Sequence, residues 1–176
     1  MIVRPAKIAD APAIARVNVD TWRTAYRKII PEDYLAKLSY EKRENSWLEI
    51  ISTAENDPHF VYVAENNSGK IVGFAAGGRE RTGRYMYQGE LFAIYILEEY
   101  QRQGIGRQLV RSVVVNLTEL GLNSMLVWVL GGNSACKFYE ALGGEKVDEQ
   151  QTSRAGVALK EIAYGWTDIK QLTVDS

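Results

Sequence analysis

The chain has 176 residues and a formal net charge of -1, with 46% hydrophobic and 24% charged residues, which is typical of one globular domain spanning residues 1–176. It has no basic surplus for nucleic acid and no apolar run of the ~20 residues that cross a bilayer, so we expect a cytoplasmic protein without nucleic-acid or membrane partners. A single cysteine, Cys136, and a single histidine, His59, exclude an intrachain disulfide and argue against a metal site.

The first third of the chain is predicted to be mainly helical. An edge strand at Ile2–Ala6 precedes three stretches with apolar residues at helical spacing, namely Ala11–Tyr26, Glu32–Leu38 and Glu41–Ile51. Asp10 is expected to be the N-cap of the first helix, because a short carboxylate can accept the free N–H groups there. Trp22 and Tyr26 lie on the apolar face of this helix, where an aromatic stripe is more often core than a ligand platform.

The pattern changes at Pro58, beyond which strands are predicted. Phe60–Ala64 and Ile71–Ala76 flank the turn sequence Asn66-Asn67-Ser68-Gly69 and are expected to form a hairpin. A longer strand, Tyr85–Ile96, ends in a run that is apolar on both faces, as in the centre of a sheet. Further elements follow in the order helix, strand, helix, strand: Ile105–Leu120, Met125–Leu130, Asn133–Leu142 and Val157–Trp166. This order predicts an α/β fold, a mixed sheet with helices on both faces.

The loop before the Ile105–Leu120 helix carries the strongest functional signal. Gly104 and Gly106 let backbone N–H groups approach a ligand closely, and a helix N-terminus favours a phosphate. Long polar or cationic side chains surround them, namely Gln101, Arg102, Gln103 and Arg107. Two glycines are equally compatible with an ordinary strand-to-helix turn, and their spacing matches neither a Rossmann fingerprint nor a P-loop.

Two segments resemble signatures of the GNAT N-acetyltransferase superfamily. Gln101-Arg102-Gln103-Gly104-Ile105-Gly106 is similar to its Q/R-x-x-G-x-G/A signature, and Asn133-Ser134-Ala135-Cys136-Lys137-Phe138-Tyr139 resembles the helix after the fifth strand. Trp22-Arg23-Thr24-Ala25-Tyr26 followed by Ile30-Pro31 resembles a subset of these enzymes. The sequence departs from the family at Gly144, where an aromatic residue is common, and at Glu98, where proline is frequent. The resemblance covers nearly the whole chain and implies a mostly antiparallel mixed sheet flanked by helices.

The resemblance also implies an activity and a co-substrate. The chain is expected to transfer the acetyl group of acetyl-CoA, without a metal, to a small-molecule amine or a peptide amino group by direct attack. The pyrophosphate would lie on the loop formed by Gln101, Arg102, Gln103, Gly104, Ile105, Gly106 and Arg107. The pantetheine arm would follow the main chain of Ile94, Tyr95 and Ile96, with Asn133 close by. Dimers are frequent in the family, so a homodimer is compatible with the resemblance.

The catalytic roles are assigned as hypotheses with alternatives. Tyr139 is the candidate general acid for the leaving thiolate, and the resemblance favours this role over that of a tyrosine that only anchors its helix to the core. Glu90 is the candidate general base, which would accept the amine proton through a water, or it could bind a cationic acceptor by charge. The alternative is that Glu90 is a solvated residue near a turn. Glu80 is a weaker candidate for the base. Trp22 and Tyr26 belong to the region that forms one wall of the acceptor site in this family. Asn133 is also an obvious N-cap.

Two other functions stay open at this stage. The fold could serve as a coenzyme A-binding regulatory module without turnover, which needs neither Tyr139 nor Glu90. A nucleotide-binding α/β domain could use the same loop for another pyrophosphate, but the second signature argues against it. The sequence does not identify the acceptor, because acceptor pockets are built from loops and N-terminal helices that match no motif here.

Overall fold

The computed structural model describes residues 1–53 and 59–173, so Pro58, where the sequence pattern changes, lies outside the described residues. The elements in chain order are β1 (Ile2–Pro5), α1 (Ala11–Ala25), α2 (Glu32–Ala36), α3 (Tyr40–Ser52), β2 (His59–Glu65), β3 (Ile71–Arg79), β4 (Gly89–Ile96), α4 (Ile105–Glu119), β5 (Met125–Leu130), α5 (Ala135–Ala141), β6 (Glu145–Arg154) and β7 (Val157–Trp166). Short 3-10 turns occupy Ile8–Asp10, Glu98–Tyr100 and Ile169–Thr173.

The strands form one sheet in the order β1-β2-β3-β4-β5-β7-β6. Neighbouring strands are antiparallel except β4 and β5, which are parallel. This confirms the predicted mixed, mostly antiparallel sheet. The parallel pair is short, because its register joins only Gly89–Leu91 to Met125–Val127. Beyond Leu91 no register pair joins the described residues of the two strands, and we call this unpaired region the opening between β4 and β5.

Helices cover both faces of the sheet. On one face, Phe74 of β3 meets Trp47 of α3 with ring centroids 4.9 Å apart, and α1 packs beside α3. On the other face α4 lies so close that a Cβ on Gly77 would come 2.9 Å from Val113. Within the two described ranges, no helix combines the length and the apolar character that a membrane crossing requires.

Two strand predictions are wrong. β4 begins at Gly89 rather than at Tyr85, because residues 85–88 form a bend in which the Gln88 N–H donates to Ser124 Oγ at 2.8 Å. β6 is absent from the sequence prediction. Its side chains are polar and mostly exposed, so it lacks the apolar alternation that indicates a strand. It is an edge strand that pairs with β7 along its length.

Asp10 is the N-cap residue of α1, as predicted, but the side-chain cap expected of it is absent. Its carboxylate instead accepts the Lys7 N–H at 2.7 Å and the Arg4 guanidinium at 2.8 Å. The hydrogen bond from Arg4 lowers the pKa of Asp10 below its ordinary value. Asp10 therefore ties β1 to the turn that leads into α1.

Candidate functional site

The opening between β4 and β5 exposes a main-chain edge. The β3–β4 register shifts between Ala76 and Gly77, so that Phe92 is an extra residue on β4. Such a bulge bends a strand and is frequent next to functional sites. From Ala93 to Ile96, β4 pairs with β3 on one side and has no register partner on β5. An edge of this kind can bind an extended ligand that carries amides.

The loop that leads from β4 into α4 is open to solvent. Arg102 and Gly104 both have left-handed backbones, with φ of 63° and 84°. Gly104 is the N-cap of α4, and nothing lies within 4 Å of a Cβ built on it. The first N–H groups of a helix have no intrahelical acceptor and carry partial positive charge. The space beside Gly104 at this end of α4 is unobstructed, which suits an anion.

The side chains around this loop divide into two groups. Gln101 Nε2 donates to the Ile96 carbonyl at 2.9 Å, and Gln103 Nε2 donates to the Glu99 carbonyl at 3.3 Å. Both amides therefore brace the loop internally. Arg102 and Arg107 are exposed, and neither guanidinium has a partner among the described residues. They are the cations of the loop that remain available to a ligand.

Gly106 and Ile105 are buried, unlike the rest of the loop. A Cβ on Gly106 would lie 3.0 Å from Phe138 Cζ and 3.4 Å from Ile96 Cδ1. Gly106 is therefore needed where α4 packs against α5 and β4. The Ile96 side chain points to this α4 face, whereas Tyr95 points to the opposite face, where it meets Phe74 at a centroid distance of 5.7 Å.

Tyr139 follows Phe138, which adjoins Gly106 and Ile96 at the unpaired edge of β4. We call this buried part of the opening its inner end. Tyr139 is 4% exposed, and its ring packs against Phe138, Tyr164 and Trp166 at centroid distances of 5.5, 6.0 and 6.2 Å. Burial raises the pKa of its hydroxyl far above the ordinary value, and the neighbouring Tyr95 adds to the shift. The hydroxyl therefore keeps its proton throughout the physiological pH range. Packing and proton donation are compatible in this position.

Asn133 connects α5 to α1. Its Oδ1 accepts the Ala135 N–H at 3.0 Å, so it caps the start of α5, and its Nδ2 donates to the Tyr26 hydroxyl at 3.1 Å. Burial raises the pKa of Tyr26, with Tyr95 contributing. Tyr26 does not extend into solvent, because its side chain is 4% exposed and its hydroxyl is bound internally.

Trp22 places a free hydrogen-bond donor beside these tyrosines. Its ring meets Tyr26 edge-on at 4.9 Å and lies under the Arg43 guanidinium at 5.3 Å. The indole Nε1 is buried and has no hydrogen-bond partner in the described part of the chain. Burial raises the pKa of Tyr95, and its neighbours Trp22 and Tyr26 lower it in part. A buried donor left unpaired is uncommon in native proteins.

Glu90 is a buried carboxylate at the other end of β4. It is 2% exposed, and Arg81 binds it through Nη2 at 2.7 Å and through its backbone N–H at 3.2 Å. The interpretation of Glu90 as a solvated residue near a turn is therefore wrong. Arg81 also lies over the Phe92 ring at 4.5 Å. A cleft of about 410 Å³ adjoins the pair, lined by Ile50, His59, Phe60, Ala76, Arg79, Glu80, Arg81 and Phe92.

The carboxylates do not join Tyr139 in one cluster. At the rise of a β-strand, five residues separate Glu90 from Tyr95 by roughly 15 Å. The Glu80 carboxylate accepts the N–H groups of Thr82 and Gly83, and although burial raises its pKa, these hydrogen bonds lower it overall. Glu80 thus serves its own turn. In residues 1–53 and 59–173 no group of three or more His, Cys, Asp or Glu side chains could hold a metal ion.

Three arginines near these groups had no assigned role from sequence. Arg81 belongs to a short basic stretch without a motif, and its pairing with Glu90 appears only in the structure. Arg43 lies on α3 and Arg154 at the turn between β6 and β7. These elements are far apart in the chain, and β6 itself was not predicted, so no local pattern could have brought the two arginines together.

Comparison with known proteins gives consistent results. Residues 19–144 match the family model described as Acetyltransferase (GNAT) family. Over 170 residues the chain is 44% identical to the protein of Bacillus subtilis (strain 168) named uncharacterized N-acetyltransferase YuaI, covering 97% of this chain and 95% of that protein.

Solved structures share the fold. The PaiA N-acetyltransferase of Thermoplasma acidophilum, in complex with coenzyme A, has a TM-score of 0.73 at 21% identity and covers 91% of this chain and 96% of its own. YncA of Salmonella typhimurium, a putative acetyltransferase with its cofactor acetyl-CoA, has a TM-score of 0.72 at 21% identity. The match covers 96% of this chain and 94% of the YncA chain. At this level of identity the likeness concerns the fold alone.

Proposed function

The chain belongs to the GNAT acetyltransferase family and is an acetyl-CoA-dependent acetyltransferase, and we propose that it acetylates a primary amine by direct attack of the amine on the thioester. One observation carries the proposal: α4 begins beside the unpaired edge of β4, where Gly106 adjoins Ile96, with the exposed cap Gly104 towards solvent and the buried Tyr139 on the inner side. A long ligand with a pyrophosphate at one end and a thioester at the other suits this arrangement. The coenzyme complexes of PaiA and YncA support the same co-substrate here.

The coenzyme would bind mainly through main-chain groups. The pyrophosphate accepts N–H groups at the start of α4, and the exposed guanidiniums of Arg102 and Arg107 add charge-assisted contacts. The pantetheine amides pair with the open edge of Ile94–Ile96. Because the Ile96 carbonyl already accepts the Gln101 amide, Gln101 orients this edge instead of contacting phosphate. Asn133 holds α5 against α1 and so sets the width of the inner end.

The chemistry divides between the strand edge and Tyr139. A backbone N–H of β4 beyond the bulge polarises the thioester carbonyl, as an oxyanion-hole donor does. The amine nitrogen forms the new C–N bond, the C–S bond breaks, and the Tyr139 hydroxyl gives its proton to the departing sulfur. Its raised pKa keeps that proton in place until a thiolate forms beside it. The same apolar surroundings make the thiolate more basic than it is in water.

Glu90 would accept the amine proton through water. Its carboxylate is buried, and a charged group away from water needs a partner of opposite charge. The Arg81 guanidinium is that partner. The separation from Tyr95 requires a chain of several waters between Glu90 and an amine held near Tyr139. The cleft beside Arg81 and Phe92 offers room for it.

The test is release of the coenzyme thiol from acetyl-CoA in the presence of polyamines, aminoglycosides, amino acids and peptides with a free N-terminus. We expect amine-dependent release with at least one class and an acetylated product by mass spectrometry. Coenzyme A, but not ATP at equal concentration, should raise the melting temperature by mass action. Stabilisation by coenzyme A without turnover on any amine would instead support a regulatory module. The cytoplasmic location, the single domain and the homodimer stay predictions.

A further inference from the structure

The tyrosines at the inner end of the opening lack a carboxylate acceptor. Some other tyrosine hydroxyls of the described chain donate to acids, such as Tyr40 to Asp20 at 2.6 Å and Tyr164 to Glu140 at 2.7 Å, whereas those of Tyr62 and Tyr100 accept asparagine amides. No described acid makes a hydrogen bond to Tyr26, Tyr95 or Tyr139. The group also receives donors, since Asn133 Nδ2 points at Tyr26 and the buried Trp22 Nε1 has no acceptor. We call these residues, with Trp22, the tyrosine cluster.

Two guanidiniums face the tyrosine cluster from different elements. Arg43 of α3 lies 5.3 Å from the Trp22 ring. Arg154 ends β6 at a two-residue turn in which Ala155 and Gly156 both have positive φ, 52° and 77°, a tight hairpin geometry that fixes the position of the strand end. Leu159 of β7, the strand paired with β6, packs against the same apolar cluster as Trp22 and Tyr26. In agreement with this placement, Arg154 lowers the pKa values of Tyr26 and Tyr95, which burial raises. Neither arginine forms an ion pair with a described carboxylate.

We propose that the acceptor amine carries a carboxylate, as an amino acid does, and that Arg43, Arg154 and the Trp22 indole N–H bind it. This rests on the proposed acetyl transfer and adds the class of acceptor. The Trp22 indole N–H and the two guanidiniums place donors and positive charge at the tyrosine cluster. A carboxylate of the acceptor would supply the acceptor oxygens that no described acid supplies. A guanidinium and a carboxylate form a strong charge-assisted pair. A polyamine would instead place cations against two arginines.

The test compares acetylation of the common L-amino acids with that of their carboxamides, which keep the amine and the side chain but lose the charge. For the wild type, kcat/KM should favour the acid by about 10-fold or more. Arg43→Ala and Arg154→Ala should each reduce that preference about 10-fold, mainly through KM, the scale of one lost charge-assisted contact. Trp22→Phe keeps a ring and removes the donor, so it should weaken amino-acid binding without changing coenzyme A affinity. Arg16→Ala, an exposed arginine on α1, is the matched control and should behave as the wild type.

The outcomes separate this inference from the proposed function. The inference is overturned if amino acids and their carboxamides release the thiol at equal rates and if both arginine variants keep those rates. Acetyl transfer itself would still stand in that case. A clear preference for polyamines overturns it in the same way. If Trp22→Phe weakens coenzyme A instead of the amino acid, the indole N–H belongs to the coenzyme and its role in the acceptor site is refuted. Absence of thiol release with every amine defeats both proposals.

Discussion

Replacing Gly104 by alanine tests whether the N-terminus of α4 holds the coenzyme. Gly104 has φ of 84°, and a Cβ there has nothing within 4 Å, so the substitution causes backbone strain without a clash. That strain costs about 1 kcal/mol, which lowers the melting temperature of a domain of this size by about 2–4 °C. The added methyl group stands in front of the N–H groups assigned to the pyrophosphate. Loss of one such contact should weaken coenzyme A binding by about 10–100-fold.

Gly121 supplies the matched control for this prediction. It follows the other end of the same helix, has φ of 79°, and also has nothing within 4 Å of a built Cβ. Gly121→Ala should therefore lose the same stability while keeping wild-type coenzyme A affinity. Thermal unfolding gives the stability of each variant, and titration calorimetry gives its affinity. Equal affinities in the two variants would refute the placement of the pyrophosphate on this loop.

Three further predictions concern the tyrosines and the packing around them. Tyr139→Phe should lower turnover roughly 100-fold, the scale of a lost general acid, and less so with a more acidic leaving thiol; Tyr164→Phe, which removes a hydroxyl bound to Glu140, should turn over normally. Because burial raises the pKa values of Tyr26 and Tyr139 above their value in the unfolded chain, their contribution to stability is complete below about pH 10 and is lost as the pH rises further; a melting temperature that stays constant well above that pH would contradict the shifts. Gly144→Ala would put a Cβ 2.7 Å from Trp166 Cζ2, so urea unfolding should show a loss of about 1–3 kcal/mol.

Local sequence signals predicted the start of α4 well. Gly104 stands where a left-handed residue begins α4, and the predicted helix Ile105–Leu120 differs from the observed one by one residue. The continuous apolar run Met125–Leu130 and the apolar-rich segment Val157–Trp166 predicted β5 and β7 with the observed bounds. These features depend on residues close together in the chain, and short-range patterns determine them.

Features that depend on distant residues could not be predicted in the same way. The departure at Gly144 is explained by Trp166, whose ring occupies the space next to it from the last strand. In the sequence, Glu90 stands near a turn at the start of a strand, where a carboxylate is usually solvated. Its burial depends on the ion pair with Arg81, which comes from the preceding loop. The free donor of Trp22 became visible only when α1, α3 and β4 were packed together.

The short junction between β4 and β5 also bears on how the protein acquires its site during folding. Three residue pairs join the two parts of the sheet, and the hydrogen bond between Tyr26 and Asn133 closes a span of 107 residues. Contacts across such a span form slowly, because closing the long loop costs conformational entropy before the contact contributes any stabilising free energy. We therefore expect each part of the sheet to gain secondary structure before the opening takes its final width. In refolding experiments, recovery of coenzyme A binding should lag behind recovery of far-ultraviolet circular dichroism.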